Sequence, residues 1–287
     1  MPTVALATCA ALPALDDDSR MLIPALHALG VDASPVVWND PAIHWDAFDL
    51  VVVRSTWDYS ARREEFLEWA DRIGSGQLWN PADLLRWNTH KSYLREFELA
   101  GVPIVPTRWQ AAGSSVDVQA VMDDEGWPAA IVKPAVSAGA RHTVLVDRAD
   151  TAEGQALLAQ ELRHRDMMIQ PYLAAVATSG ELSLLYFDGR FSHAVRKTPA
   201  PGDFRVQERH GGATVSVEAT PQARALGRRV LDTLADETLY ARVDLLPGAD
   251  GELVLVELEI VEPGMFLRMD GAAASRFAEG IARRLPR

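Results

Sequence analysis

The chain has 287 residues, which is enough for two or three small lobes around ordinary hydrophobic cores. Its formal net charge of −12 argues against a general nucleic-acid binder. No apolar run is long enough to span a bilayer. We therefore expect neither nucleic acid nor a membrane as a partner, while a homo-oligomer stays open.

The N-terminus and the cysteine content indicate a reducing compartment. The opening MPTVALATCAALPALDDD has no basic region before its apolar run, so it is interpreted as a strand and a loop and not as a signal peptide. Cys9 is the single cysteine, which excludes an intrachain disulfide. The expected localisation is cytoplasmic.

Strands and helices alternate in the first part of the chain. The predicted strands are VALATCAAL, SPVVW and DLVVVRSTWDY, and the helices between and after them are DDDSRMLIPALHALGV and SARREEFLEWADRIG. Such alternation is typical of a small parallel α/β domain. We predict that this domain spans residues 1–87.

The remaining chain favours two further lobes, predicted at residues 88–173 and 174–287. Helices and strands are mixed in both, and the second contains two β-hairpins, turning at Asp188-Gly189 and at Gly248–Gly251. The polar, glycine-bearing stretch PAPGDFRVQERHGGAT between regular elements is interpreted as a mobile loop.

Several common signatures are absent. The first strand is not followed by GxGxxG, and the sequence contains no GxxxxGK[ST], HExxH, GxSxG or paired CxxC. These absences exclude a P-loop and remove the most frequent dinucleotide, zinc-protease and serine-hydrolase interpretations.

Carboxylates interrupt a strand that otherwise looks buried, LVLVELEIVEPGMF. Glu257 and Glu259 are two apart and so share one face, with Glu262 just before the following proline. Pairing across the second hairpin brings Asp244 close to them. Three such side chains form a site for a hard cation, and Mg²⁺ completes its shell with water and phosphate oxygens. Mn²⁺ is the alternative metal.

Each of these residues also has an ordinary interpretation. Glu257 and Glu259 suit the solvated face of a two-sided strand, and Lys133 in AAIVKPAV suits an edge-strand lysine. Arg242 and Asp244 suit a simple ion pair. Their order along the chain is more informative than any one of them.

That order resembles the ATP-grasp superfamily, and most closely its glutathione-synthetase-type ligases, from about Asn88 to the end. The resemblance implies an ATP-grasp fold that follows the small parallel domain in the chain. It implies that ATP is bound by Lys91, Lys133, Ser137, Gly139, Gln170, Pro171, Tyr172, Leu173, Glu181 and Arg209, and the metal by Asp244, Glu257 and Glu259. It also implies catalytic roles for Arg242, Lys133 and Arg205. The family usually has asparagine where this chain has Glu259.

The resemblance further implies the reaction class. A substrate carboxylate attacks the γ-phosphate of ATP, and a nitrogen nucleophile then displaces phosphate from the acyl phosphate. Because an acyl phosphate hydrolyses easily, water must be excluded. GDFRVQERHGG, with Arg205, Arg209 and its glycine pair, is the expected lid.

The substrate end is predicted at RSTWDY, at the carboxyl end of the central strand of the first domain, where ligands of open α/β sheets bind. Arg54 is the candidate for the substrate carboxylate and Asp58 for an amino group. Ser55 is a further substrate-site candidate, and Arg268 is expected to face the same cleft. The alternative is a helix N-terminal turn with Trp57 in the core. A site with both cationic and anionic side chains suits an amino-acid-like substrate.

The strings VALATC, RSTWDY and EPGMFLR are also similar to ATP-grasp ligases that form D-cycloserine. This similarity implies ring closure of O-ureido-D-serine at the expense of ATP. The alternatives are an intermolecular carboxylate–amine ligase and a nucleotide-binding module without turnover.

Overall fold

The computed structural model describes residues 1–74 and 76–286. Its strands are β1 Thr3–Thr8, β2 Asp32–Val37, β3 Leu50–Ser55, β4 Leu78–Trp79, β5 Arg108–Gln110, β6 Ala129–Pro134, β7 Val144–Asp147, β8 Met167–Pro171, β9 Glu181–Phe187, β10 Arg190–Thr198, β11 Ala213–Val217, β12 Tyr240–Pro247 and β13 Leu253–Glu259. Its α-helices are α1 Leu22–His27, α2 Arg63–Ile73, α3 Ala82–Asn88, α4 Tyr93–Leu99, α5 Val118–Glu125, α6 Ala152–Glu161, α7 Ala175–Thr178, α8 Pro221–Asp232 and α9 Ala273–Ala282.

The first sheet is parallel, in the order β2-β1-β3-β4, as the alternation of strands and helices predicts. β3 is buried along its whole length because helices cover both faces. One face packs on α1 and the C-terminal α9, through residues such as Leu26 and Phe277. The other face packs on α2, through Phe66 and Trp69. Helix α9 therefore contributes to the hydrophobic core of the first domain.

The second sheet is antiparallel, in the order β5-β8-β6-β7. Along β6, Ala130 and Val132 are buried against α5 and α6, while Ile131 and Lys133 alternate to the opposite face. The period of two therefore places the lysine on the side that faces the third sheet.

The third sheet runs β11-β10-β9-β12-β13, and both predicted hairpins are confirmed. Asp188 and Gly189 have φ of 52° and 68°, the left-handed pair that a two-residue hairpin turn requires. The outer edge of β13 is bound by a short backbone bridge at Leu255 and by side chains, and not by another full strand. Asn88 pairs with the carbonyl of Leu258 and the N–H of Ile260, and Tyr93 pairs with both backbone groups of Leu258.

Three short elements lie outside the predicted pattern. The sequence predicts no strand or helix at β4, α3 or β11, and the helix predicted over DDDSRMLIPALHALGV is reduced to a 3₁₀ turn followed by the six residues of α1. Short segments carry too few residues for periodicity to be decisive. No helix in residues 1–74 and 76–286 combines the length and apolarity needed to cross a membrane.

Candidate active site

A cleft of about 870 Å³ lies between the two antiparallel sheets and reaches the carboxyl edge of the parallel sheet. That volume is at the upper end of the range for small-molecule sites, so a nucleotide and a small substrate fit together. The predicted residues that line it are Lys91, Lys133, Ser137, Gly139, Gln170, Pro171, Tyr172, Leu173, Glu181, Arg205, Arg209, Arg242, Glu257, Glu259, Asp58 and Arg268. The structure thus brings together most of the residues that the sequence singles out.

One end of the cleft is an apolar slot. Val176, Val206 and Leu246 form a small buried cluster there, and Tyr172 and Leu173 pack against it. Val206 belongs to the predicted lid, so the slot is closed partly by that loop. Nearby, Gln170 donates from Nε2 to Thr107 Oγ1 at 2.8 Å. A flat heterocycle such as adenine suits such a slot, since its faces are apolar and its edge is polar.

Two lysines project into the middle of the cleft. Lys91 donates from Nζ to the Ser137 carbonyl at 3.0 Å and pairs with Glu257 at 2.8 Å. Lys133 has no carboxylate within ion-pair distance among the residues that the structure describes. Burial in the cleft lowers the pKa of Lys133 to about 8, against the opposing attraction of Glu257. An anion placed beside Lys133 restores its full charge, which is the property required of a phosphate-binding lysine.

The acidic strand is neutralised by the chain's own cations. Asp244 and Glu257 are opposite each other in the register of β12 and β13, as are Arg242 and Glu259. Arg242 forms a fork with Asp244, from Nε to Oδ1 at 3.0 Å and from Nη2 to Oδ2 at 2.9 Å, and it also contacts Glu259. These ion pairs explain how a strand with three nearby carboxylates remains folded.

The three predicted metal ligands differ in availability. Glu257 and Glu259 line the cleft, but Asp244 is 2% exposed, accepts a hydrogen bond from Ser183 and forms an ion pair with Lys197. Among the described residues no group of three or more acidic, histidine or cysteine side chains is arranged around a common point.

The charges in the cleft nevertheless suit a divalent cation. Burial raises the pKa of Glu259 to about 7. The attraction of Arg242 opposes this rise, and repulsion from Glu257 and Asp244 adds to it. Burial works to raise the pKa of Glu257 as well, but Lys91 and Lys133 keep it below its usual range. A divalent cation held by Glu257 and Glu259 would relieve the repulsion between them.

Lys197 is a site residue that the sequence analysis missed. It is 6% exposed, and its ammonium group lies between Glu181 and Asp244, 3.3 Å from the latter. Burial disfavours its charge, but these two carboxylates raise its pKa above the usual value. A lysine in HAVRKT gives no signal by itself, because only the order β10-β9-β12 places it beside Asp244.

The predicted lid, Phe204–Gly212, covers the cleft and contacts both sides of it. Arg209 donates to the carbonyl of Gly139 in the loop after β6, and Glu208 accepts from Arg268 beyond β13. Gly212 allows the chain to turn, since a Cβ there would lie 2.2 Å from the Val206 carbonyl oxygen. Arg205 pairs with Asp203 at 2.8 Å and faces the cleft.

Hydrogen exchange tests the lid. We expect amide exchange in Phe204–Gly212 to slow at least about tenfold when an ATP analogue and Mg²⁺ are added, because added contacts lower the population of the open loop. Exchange in the Gly248–Gly251 turn, outside the cleft lining, is the internal control. Equal rates with and without nucleotide in Phe204–Gly212 would contradict the assignment.

The substrate end differs from the prediction at Arg54 and Ser55. Arg54 is 2% exposed, donates to the Pro263 carbonyl at 2.7 Å and stacks on Tyr240 and Phe277. Ser55 is fully buried and donates to Asp16 at 2.6 Å. Neither lines the cleft, and each is bonded to another part of the chain, so a positioning role replaces direct substrate contact as the expectation for both. The reason is that the turn after β13 covers the end of β3.

Two neighbours of Arg54 do face the cleft. Trp57 is 42% exposed and lines it, so the alternative that placed this tryptophan in the core is wrong. Asp58 also lines the cleft, but one of its oxygens already accepts from Trp38 Nε1 at 2.9 Å. The RSTWDY stretch therefore contributes its second half to the cleft.

Substitution of Arg54 distinguishes a positioning role from direct substrate binding. We expect Arg54→Ala to lower the free energy of unfolding by about 2–4 kcal/mol, since it leaves the Pro263 carbonyl unpaired and a cavity beside two aromatic rings. Thermal unfolding measures this, and Arg148→Ala, whose side chain is 44% exposed and pairs with an exposed carboxylate, should change stability by about 0.5 kcal/mol or less. Unchanged stability with a raised KM for the substrate alone would restore the direct contact.

Glu262 is a second missed residue. It is 9% exposed, lines the cleft and has no hydrogen-bond donor from another described side chain. Burial, and then repulsion from Glu259, raises the pKa of Glu262 to about 8. The same carboxyl group raises the pKa of the buried Tyr59 hydroxyl, behind the larger effect of burial. The sequence showed this glutamate but not its surroundings.

The raised pKa of Glu262 predicts a pH-dependent stability. Between pH 4.5 and about 8 the unfolded chain releases this proton while the folded chain retains it, so the free energy of unfolding falls as the pH rises. We expect metal-free Glu262→Gln to be about 1–3 kcal/mol more stable than wild type at pH 8.5 and no more stable at pH 4. A gap that is the same at both values of pH would refute this.

Comparison with known families agrees with this geometry. Residues 105–272 match the family described as the ATP-grasp domain of prokaryotic glutathione synthetase. The fold also matches D-alanine–D-alanine ligase from Bacillus anthracis in complex with ATP, with a TM-score of 0.70 at 14% identity over 99% of this chain and 97% of that one. The chain belongs to the ATP-grasp family of ATP-dependent ligases, which confirms the predicted fold and enzyme class.

The similarity extends to the N-terminal domain. Residues 4–80 match the family described as the N-terminal domain of D-cycloserine synthetase DcsG. The chain is 32% identical to the cycloserine biosynthesis protein DcsG of Streptomyces lavendulae, over 99% of both proteins. The crystal structure of D-cycloserine synthetase DcsG matches with a TM-score of 0.88 and 30% identity, over 99% of this chain and 100% of that one.

Proposed function

We propose that this ligase closes O-ureido-D-serine to D-cycloserine with ATP. The observation that carries the proposal is the end-to-end similarity to D-cycloserine synthetase, including the domain that forms the substrate end of the cleft. The cleft adds support, because acidic and basic side chains meet at that end, next to the predicted phosphate-binding lysines.

The chemistry follows from the two formulas. The substrate carboxylate attacks the γ-phosphate to give an acyl phosphate and ADP. The nitrogen bonded to oxygen then attacks the acyl carbon, loses its proton and expels phosphate. Because the product lacks the carbamoyl group, water must cleave that nitrogen–carbon bond and release carbon dioxide and ammonia. One ATP and one water are therefore consumed per ring.

We propose the following roles for individual residues in these reaction steps. Lys91 and Lys133 contribute positive charge at the phosphates, and Arg205 arrives with the lid. Arg242, fixed by its fork with Asp244, orients the reacting carboxylate and offsets its charge. The loop containing Gly139 and the lid together exclude water, which protects the acyl phosphate.

The metal is proposed to be Mg²⁺, held by Glu257 and Glu259 with Asp244 as the third carboxylate. When bound, it neutralises charge on the transferring phosphoryl group. Lys91 and Arg242, which pair with these glutamates in the structure, must then turn toward phosphate or substrate. Mn²⁺ is expected to substitute with a different affinity, since both ions accept carboxylate oxygen.

The test is a reconstitution. Purified protein with O-ureido-D-serine, ATP and Mg²⁺ should yield D-cycloserine by mass spectrometry, with ADP and ammonia in equal amounts. Lys133→Met is the matched control and should release little ADP while remaining folded. If ADP appears only when a second amine is supplied and no D-cycloserine forms, the protein is an intermolecular ligase and the proposal fails.

A further inference from the structure

The loop after β1 contains two aspartates that belong to neither the proposed nucleotide site nor the proposed metal site. Asp16 and Asp18 line the cleft at its substrate end. Their loop and the start of RSTWDY meet because β1 and β3 are neighbours in the parallel sheet, where Thr8 is paired with Ser55. Ligands of such sheets bind at this carboxyl edge.

The two carboxylates differ in how completely they are bonded. Asp16 accepts from the N–H groups of Asp18 and Ser19 at 3.0 and 3.1 Å, and from Ser55 Oγ at 2.6 Å. Both of its oxygens are therefore occupied, and it fixes the shape of the loop. Its pKa lies below the usual value because these hydrogen bonds and Arg54 outweigh burial.

Asp18 has one oxygen bonded and one not. It is 7% exposed, and its Oδ1 accepts from the backbone N–H of Arg268 at 3.1 Å, with the Arg268 guanidinium at 3.8 Å. Its Oδ2 is buried and has no hydrogen-bond donor. Among the side chains in the described ranges, this is the only fully buried carboxylate oxygen left without a donor. A buried acceptor without a partner costs free energy that a ligand can recover.

We propose that the Asp18 carboxylate, turned so that Oδ2 opens to the cleft, binds the α-ammonium group of the substrate and makes the enzyme select amino acids. This inference rests on the proposed function and names the residue that recognises its substrate. Asp58 is the weaker candidate, because its side chain is 32% exposed and one of its oxygens already accepts from Trp38. A carboxylate that water already solvates gains less from an added ammonium group than one with a buried oxygen that has no donor.

The assignment also connects the substrate to the lid. Arg268 contacts Asp18 with its backbone and its side chain, and its other guanidinium nitrogen donates to Glu208 of the lid. Occupancy of Asp18 Oδ2 leaves the Oδ1 contacts in place. The substrate ammonium group, Asp18, Arg268 and Glu208 then form one chain of polar contacts from the parallel sheet to the lid.

The experiment compares O-ureido-D-serine with 3-(ureidooxy)propionate, which lacks only the α-amino group. We expect wild type to prefer the amino acid by about 10- to 100-fold in kcat/KM for ADP release. Asp18→Asn should bring this ratio to about threefold or less, because a neutral side chain recovers little from the ammonium group. Asp17→Asn removes a charge one residue away on a side chain that is 93% exposed, and should leave the ratio as in wild type.

The outcomes separate cleanly. Wild type that uses the two compounds equally well, or Asp18→Asn with the full wild-type ratio, overturns the assignment while the ligase function stands. Loss of the ratio in Asp58→Asn but not in Asp18→Asn also overturns it. If wild type makes no D-cycloserine from O-ureido-D-serine, the proposed function fails, and this assignment with it. The wild-type comparison does not depend on any variant folding.

Discussion

Turnover of Glu257→Gln is expected to fall at least about 1,000-fold, which corresponds to about 4 kcal/mol of lost transition-state stabilisation. Glu257 faces the cleft opposite Asp244, pairs with Lys91 at 2.8 Å and is a proposed metal ligand. Glutamine keeps its size but offers the metal one neutral oxygen, and it leaves Lys91 without its partner. The fold should persist, because the side chain is a quarter exposed.

The control lies in the same hairpin. Glu252→Gln changes an exposed glutamate beside the turn and should keep wild-type turnover. Binding of Mn²⁺ in the presence of an ATP analogue, followed by electron paramagnetic resonance, separates metal loss from other causes. Wild-type turnover in Glu257→Gln, or unchanged Mn²⁺ affinity, would exclude this residue as a metal ligand.

Of the substitutions considered, Arg242→Met is expected to lower the free energy of unfolding most, and it should also lower turnover strongly. The substitution leaves Asp244, which is 2% exposed, with Lys197 as its remaining cation, and it removes the partner of Glu259. Breaking a buried ion pair on one side costs about 3–5 kcal/mol. We expect a loss of that size in chemical denaturation and at least a 100-fold loss in kcat.

Two further measurements test the cause. Arg242→Lys should recover charge but not the fork with Asp244, so it should regain stability more than kcat. Lowering the pH should narrow the stability gap between wild type and Arg242→Met, because protonation neutralises the carboxylates left without a partner. A gap that stays constant from pH 7 to pH 5 would show that lost packing, and not unpaired charge, is responsible.

Residue pattern alone was sufficient for the local structure that carries the chemistry. The spacing of two placed Glu257 and Glu259 on one face, although the register skips Val256 just before them. The turn residues Asp188-Gly189 and Gly248–Gly251 located both hairpins. These features depend on neighbours within a few residues, which a sequence displays directly. The domain boundaries at residues 87 and 173 stay predictions.

Contacts between distant segments could not be predicted in this way. Arg54 looked like a substrate ligand because it ends a strand at a binding edge, but a carbonyl 209 residues later in the chain takes its guanidinium. Asp244 looked as available as Glu257, yet Lys197 from another strand and Ser183 occupy it. In both cases the alternation of side chains along the strand predicts which face the residue is on. It does not predict which residues of other segments pack against that face.

The sequence by itself determined the parallel domain, the two hairpins, the two lysines and the paired glutamates, and through their order the ATP-grasp resemblance. Only the tertiary structure decided which charges are free to meet a ligand. Asp18 shows the difference, because Arg268, 250 residues away, bonds one of its oxygens and leaves the other without a donor. The physical reason is that periodicity follows from local backbone geometry, whereas burial and ion pairing depend on the faces that packing brings together.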